Sequence, residues 1–417
     1  MPNLTSRMEQ ELPPGLFVFL KLAGKVAQAQ GLGLYLVGGA VRDLLLGRPN
    51  LDFDLVVEGD AIRLARQLAK SSAEKVLTHP RFGTAKFRRG DLSIDLVTAR
   101  SETYPRPGAL PEVKPGTIRD DLLRRDFSIN AMAIHLSPDS FGQLFDPHGG
   151  RIDLERGLVR ILHDRSFIDD ATRMLRALRY EQRLSFQLEQ DTERLMRRDK
   201  SMLGTISGDR IRHELELIFK EEQPERILHR AQVLGVLREI HPSLGGDGWL
   251  ADKFTQARQA GTSLSLSLYL ALVIYRLNGE ESESLIARLS IAGGAARNLR
   301  QVLRLKADLP ALEAPDLSPS GIYRLLKQYS AEAIFACSLA CGDAAIRSRL
   351  ELYLRDLRHV RPSLDGEDLK GMGVTPGPCL GRMLKALHEA KLDSRVSTRE
   401  GEEALVRQWL AKDALSE

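Results

Sequence analysis

The chain has 417 residues, 43% of them hydrophobic and 28% charged, with a formal net charge of +4. This is the composition of an ordinary soluble protein long enough for roughly two to four compact units, and its mild basicity permits a polyanionic partner without demanding one. The longest apolar run, 264–275, is broken by Ser265 and Ser267 and is too short to span a bilayer, and the first residues have neither a basic start nor an apolar core; a cytoplasmic protein with no membrane segment is expected.

In chain order, residues 14–30 predict an amphipathic helix that leads into a strand at 34–37. Gly38-Gly39 then makes a turn into a helix containing Arg42-Asp43, and a second strand follows with Asp52-Phe53-Asp54. Alternation along that strand puts Asp52 and Asp54 on one face and Phe53 in the core. Two like charges side by side repel unless a cation sits between them. Mg²⁺ suits such a pair, because it takes hard oxygen ligands and needs only one or two carboxylates. Glycine lets backbone N–H groups approach a ligand, and N–H groups at a helix start favour anions. Metal pair and glycine turn together point to a triphosphate cradle; separately, each is more often a solvated acid pair or a simple turn.

A helix over 60–72 comes next, then a hairpin formed by 84–87, a turn at 89–91 and a strand at 92–97. Asp95 can join Asp52 and Asp54 if its strand is their neighbour; otherwise it is a solvated strand residue. Residues 101–118 carry four prolines and two glycines and are expected to form a mobile functional loop. Arg124-Arg125 can neutralise phosphate, while Asp126 and Asn130 offer acceptors and donors suited to a ribose; a charged helix start is the alternative. Asp146-Pro147-His148-Gly149-Gly150 reads as a structural turn.

From about residue 150 the pattern is helical almost without interruption, punctuated near 241–247, 292–296, 309–319 and 361–378. Asp170 and Arg173, three apart in Asp169-Asp170-Ala171-Thr172-Arg173, are expected on one helix face. A carboxylate beside a guanidinium matches the amine-next-to-acceptor edge of both cytosine and adenine. Uracil and guanine would set acceptor against acceptor and donor against donor, at a cost of a few kcal/mol. An intrahelical ion pair fits the same spacing. Arg176, Arg179 and Arg183 continue at helical steps as a basic stripe suited to an RNA backbone or to solvent. The three cysteines, Cys337, Cys341 and Cys379, lack metal-ligand spacing, and Cys337 and Cys341, four apart on one helix face, are expected to be small buried residues in a reducing compartment.

The order Gly-Gly, Arg-Asp, Asp-x-Asp, Arg-Arg-Asp, Asp-Pro-x-Gly-Gly and Asp-Asp-x-x-Arg resembles the class II tRNA nucleotidyltransferases and the related bacterial poly(A) polymerases. The resemblance implies a polymerase-β-like α/β nucleotidyltransferase head (1–155), then an all-α neck (156–225), body (226–315) and tail (316–417), the tail binding tRNA. It implies that Asp52, Asp54 and Asp95 are catalytic, with Asp52 and Asp54 holding Mg²⁺. It also implies that Gly38, Gly39, Arg42, Arg124, Arg125, Asp126, Asn130, Asp170, Arg173, Arg176 and Arg179 bind nucleotide, with Asp170 and Arg173 as a protein template for C and A. Asp169 stands where the family has Glu. The helix beginning at Ser207-Gly208-Asp209-Arg210 resembles one that supports the template helix, and the 101–118 segment resembles a loop needed for adding the terminal A. The expected activity is building or completing the 3′-CCA of tRNA from CTP and ATP, with no obligatory protein partner. An enzyme adding only A, a poly(A) polymerase and a non-catalytic RNA-binding module are the alternatives.

Overall fold

The computed structural model describes residues 2–50, 52–70, 76–80, 83–89 and 92–413. The end of the expected 60–72 helix, the hairpin turn at Gly90-Asp91 and Leu51 therefore fall outside the described residues. Contacts divide the chain into two compact units, Met1–Pro242 and Ser243–Glu417, with the division inside the punctuated 241–247 segment. The finer partition into head, neck, body and tail stays an assignment by resemblance.

The first unit is built on a seven-stranded sheet of order β3-β4-β5-β2-β1-β8-β9. These strands are β1 Gly33–Val37, β2 Asp52–Glu58, β3 Leu77–His79, β4 Thr84–Arg89, β5 Leu92–Thr98, β8 Ala133–His135 and β9 Leu144–Phe145; β6 Arg100–Thr103 and β7 Glu112–Pro115 pair separately. β2 and β5 run parallel, whereas the other neighbours in the large sheet are antiparallel. The expected Pro-rich loop is therefore partly ordered: its two ends form the β6–β7 ladder, leaving 104–111 as the connection. Alternating residues explain this, since Glu102 on β6 is held by Arg100 and Arg124.

Helices Pro14–Gln28, Gly39–Leu46 and Ala61–Lys70 cover one face of the sheet, where Phe19, Leu20, Val41, Leu44, Leu64 and Leu68 meet Leu36, Phe53, Leu55, Phe87 and Ile94 in a continuous apolar core. Burying side chains of this size stabilises by about 1.5–3 kcal/mol each. Phe53 is 2% exposed, as its alternation with Asp52 and Asp54 requires. The opposite face carries Asp52 and Asp54 at the exposed start of β2, while Tyr35, Val37 and Val56 farther along it are buried against Ile118 and Leu122. Beyond the sheet, helices Ser166–Asp169, Thr172–Leu184 and Gly208–Ile218 complete the surroundings of the site.

The second unit consists of helices among its described residues, from Gly248–Gln259 to Arg399–Asp413. Side chains of Asp247, Ser265, Asn278, Ser318, Ser330, Asp343 and Asp365 accept from N–H groups of the first turns and so define where helices begin. Cys337 and Cys341 are buried and unbridged, and burial pushes the Cys337 thiol up to about 12, so it stays protonated. No helix among the described residues is long and apolar enough to cross a membrane.

Candidate active site

A cleft of about 370 Å³ lies over the Asp54 side of the sheet, and Gly39, Asp54, Arg124, Arg125, Asp126, Asn130, Asp170, Arg173 and Arg176 all line it. Val56, Val97, Glu102, Tyr104 and Tyr180 complete its wall. Residues separated by more than a hundred positions thus meet in one place.

Its acidic floor is set by sheet register. Asp54 pairs with Val37 on one side and with Asp95 on the other. Asp52 is fixed by a relay from the glycine helix: Asn50 donates to Asp43 at 2.8 Å and accepts from the Asp52 N–H at 2.8 Å. Asp95 accepts from Lys86 Nζ at 2.9 Å. Asp52 and Asp54 have no ion pair among the described residues. Burial raises the Asp54 pKa; Arg125 and Lys86 lower it, whereas Asp95 and Asp52 raise it, and the net shift is upward. Solvent reaches the side chain through the cleft, but the surrounding walls displace enough water for burial to dominate.

The residues fit a divalent cation. Among the described residues no cluster of three His, Cys, Asp or Glu forms a complete metal cage. Two hard carboxylates on one face of a strand are instead what Mg²⁺ uses when phosphate and water supply its other ligands. Charge balance agrees: the lining counts four carboxylates (Asp54, Glu102, Asp126, Asp170) and four guanidinium groups (Arg124, Arg125, Arg173, Arg176), so the wall carries no net positive charge against a triphosphate.

Beside the acids, Gly38 has φ +71° and begins helix Gly39–Leu46. The N–H groups of Gly39 and Ala40 donate to no protein acceptor among the described residues, so both are available to an anion. A Cβ on Gly38 would lie 2.5 Å from Arg125 Nη1, so the guanidinium packs directly on the turn. Arg125 spends Nε and Nη2 on the fully buried Asp121, at 3.3 and 3.1 Å, which leaves Nη1 facing the glycine turn. Gly38→Ala is therefore expected to cost about 1–3 kcal/mol through its positive φ and to raise the KM for nucleotide by displacing Arg125. Thermal unfolding and nucleotide titration read both effects; an unchanged KM would show that Arg125 does not serve the phosphates.

Other expected binders are already committed within the protein. Arg124 donates to Asp121 and to Glu102, so its fork is filled. Asn130 accepts from Arg42 Nη1 at 2.7 Å and donates to Asp126 at 3.0 Å, and Asp126 also meets Arg176 at 2.6 Å. Arg42 is 5% exposed and grips Asp43, away from the cleft lining. Burial pushes the Asp126 pKa up, but Arg176, Asn130, Arg173 and the Phe127 N–H outweigh it and hold the carboxyl below its usual range. The Arg42–Asn130–Asp126–Arg176 chain runs from a buried arginine to a partly exposed one, and Asp126 Oδ2 and Arg176 Nε remain without a hydrogen-bond partner among the described residues at the cleft wall.

Asp170 and Arg173 meet the cleft, but not on one helix face. Asp170 is extended, at φ −142° and ψ 97°, between helices Ser166–Asp169 and Thr172–Leu184. Arg173, 4% exposed, donates to Ser166 Oγ at 2.6 Å and to the Arg124 carbonyl at 2.8 Å. An intrahelical Asp170–Arg173 ion pair is absent from the described contacts, and the two groups are held separately. The basic stripe also differs from expectation: Arg179 is 7% exposed among Glu214 and Glu221, and Arg183 pairs with Glu221. Sequence reasoning gave no site role to Glu102, Tyr104, Tyr180 or Arg210. Tyr180 had a legible signal, since it lies four and seven residues beyond Arg176 and Arg173 on the same helix. Tyr104 donates to Glu102 at 3.2 Å, and its phenol is pushed up to about 12, by burial first; Arg173 lowers it, while Glu102 and Asp170 raise it.

Residues 34–160 match the Poly A polymerase head domain, and 185–245 match the probable RNA and SrmB-binding site of polymerase A. An A-adding tRNA nucleotidyltransferase of Halalkalibacterium halodurans is 35% identical, over 93% of this chain and 91% of that protein. The chain belongs to the class II tRNA nucleotidyltransferases. A CC-adding tRNA nucleotidyltransferase of Deinococcus radiodurans is 32% identical over 90% of this chain and 89% of that one. A Thermotoga maritima CCA-adding enzyme complexed with tRNA superposes with a TM-score of 0.79 at 31% identity, covering 98% of this chain and 99% of that one. The seven-stranded head with its helical continuation is thus the fold of this nucleotidyltransferase family.

Proposed function

We propose that this tRNA nucleotidyltransferase completes the 3′-CCA end of tRNA, with addition of the terminal A as its principal step. The observation that carries the reading is one cleft in which the Asp54 carboxylate, the Gly39 helix start and the Asp170 and Arg173 base-facing groups converge. The A-adding mode is supported by the 35% identity to an A-adding relative across nearly the whole chain. Addition of all three nucleotides is the second reading, favoured by the fold shared with the Thermotoga enzyme.

In this reading the tRNA 3′-hydroxyl attacks the α-phosphate of ATP and pyrophosphate leaves. The Gly39 and Ala40 N–H groups and Arg125 Nη1 hold the phosphates. Asp170 accepts from the exocyclic amine and Arg173 donates to the neighbouring ring nitrogen. Asp95, beside Asp54, assists the acidic pair. Nucleotidyltransferases of this family use a divalent metal; here Asp52 and Asp54 would hold Mg²⁺, which supplies neutralisation of phosphate charge and a better nucleophile. The enzyme is expected to work in the cytoplasm.

Incubating the protein with tRNAs ending before C, after one C and after both C residues tests the mode. A-only addition extends the last alone, with ATP. Extension of all three with CTP and ATP selects the second reading, and long A tracts on generic RNA would replace both with poly(A) synthesis.

A further inference from the structure

The sheet face that carries the acids also carries two cations outside the cleft lining. Register sets residues in rows across four strands: Val37 on β1 pairs with Asp54 on β2, Asp54 with Asp95 on β5, and Asp95 with Lys86 on β4. One row along, Asp52 pairs with Ser93 and Ser93 with Arg88. Partners in register project to the same side, so Lys86 and Arg88 stand on the face of Asp52 and Asp54. The alternate residues Ala85 and Phe87 are buried in the core on the other face.

Both cations are exposed, and neither is spent on the fold. Lys86 Nζ meets Asp95 at 2.9 Å, but the two side chains are 49% and 32% exposed, so the pair is weak and exchangeable. Arg88 has the neutral Ser93 beside it and no ion pair among the described residues. Two residues apart on one strand, the cations are spaced by about 6.6 Å along the backbone, the scale on which consecutive phosphates follow one another in an extended single strand. Leu77 on the edge strand β3 continues the Lys86 row and is 57% exposed, an apolar surface on which a ribose or base can rest.

We propose that Lys86 and Arg88 form a track that seats the last phosphates of the RNA strand whose 3′-hydroxyl is extended. The proposal rests on the transfer reading given above. In-line displacement needs the attacking and leaving oxygens on opposite sides of the α-phosphate. The Gly39 and Ala40 N–H groups follow closely on Val37, and Arg125 packs on the same turn, so in that reading the nucleotide's phosphates are held on the β1 side of Asp54. The hydroxyl then arrives from the β5–β4 side, where Lys86 and Arg88 meet the strand that bears it. A phosphate that takes Lys86 from Asp95 also frees that carboxylate beside Asp54, so seating the strand and completing the acidic site occur together. Phosphates are alike in every sequence, and the track therefore positions the strand without reading its bases.

The test uses the full chain and a synthetic acceptor-stem hairpin RNA ending in CC, made with ordinary or with uncharged methylphosphonate links between its last three nucleotides. Lys86→Ala and Arg88→Ala are each expected to weaken hairpin binding and raise its KM about three- to fivefold, the scale of one exposed ion pair, while equilibrium binding of ATP stays unchanged. The slope of log affinity against log salt should shrink by about 0.7 for each cation lost. Uncharged links should weaken wild type to the same extent and cost the double variant nothing further, because either change removes the same contact. Lys86→Arg and Arg88→Lys keep the charges and should keep hairpin affinity. Unchanged hairpin affinity and salt slope in the alanine variants, a full penalty from uncharged links in the double variant, or losses in the charge-keeping variants equal to those of alanine overturn the track. ATP binding that falls as far as hairpin binding would assign the cations to the triphosphate and overturn it too. Hairpin binding that depends on Lys86 and Arg88 in a protein that extends no RNA would sink the transfer reading and uphold the track.

Discussion

Asp54→Ala is expected to abolish nucleotide incorporation, by about a thousandfold or more, while tRNA binding survives. The loss is large because Asp54 is the acid that both lines the cleft and stands in register with Asp95. Asp54→Asn should be as inactive, since it keeps the shape and removes the charge. It also separates chemistry from folding. The folded-state pKa of Asp54 is raised, so between the ordinary carboxylate pKa and the raised value the folded protein binds more protons than the unfolded chain, and stability from this group falls as pH rises through that window. The penalty is fully present above the raised pKa. Asp54→Asn removes it, so the variant should melt higher than wild type above the window and converge with it below. At sub-saturating Mg²⁺, wild-type incorporation should fall as pH drops into the same window, because the metal competes with a proton there. Near-normal turnover in Asp54→Ala would end the metal assignment; a melting difference that ignores pH would end the argument from the raised, burial-driven Asp54 pKa.

The head was legible because its signals are local. A strand, a glycine turn, a helix start and an alternating Asp-Phe-Asp need only nearest-neighbour rules, and Phe53 is buried as alternation requires. Register is not local: nothing in residues 92–97 says that β5 pairs in parallel with β2 and sets Asp95 beside Asp54. The same blindness hid the partners of the arginines. Helical spacing makes Arg176, Arg179 and Arg183 look like a free basic stripe, but Asp126, Glu214 and Glu221 arrive from distant segments and take up their charges. Asp170 failed differently. Continuous helical periodicity conceals a break of the backbone between two helices, and that break turns the Asp170 carboxylate to Thr172 and Arg210 instead of to Arg173.

Arg173→Ala is expected to weaken base selection more than any other change in the wall of the cleft. Its guanidinium is oriented by two acceptors, Ser166 Oγ and the Arg124 carbonyl, and neither is a carboxylate, so its charge remains available to a ligand. Removing it costs ATP a charge-assisted bond of roughly 1.5–3 kcal/mol. It also removes the donor that clashes with the ring N–H of guanine or uracil, so GTP and UTP lose less or gain. Ser166 is fully buried, and leaving its hydroxyl without this donor adds a stability loss of about 1–3 kcal/mol. Arg173→Lys separates the two effects: it keeps the charge and part of the packing, but not the fixed fork. It should melt closer to wild type than Arg173→Ala while still misincorporating. Rates with all four nucleotides on tRNA ending in CC decide the matter, because a uniform fall with intact selectivity would make Arg173 a brace for Arg124 and Ser166, and Asp170 would then have to discriminate without it.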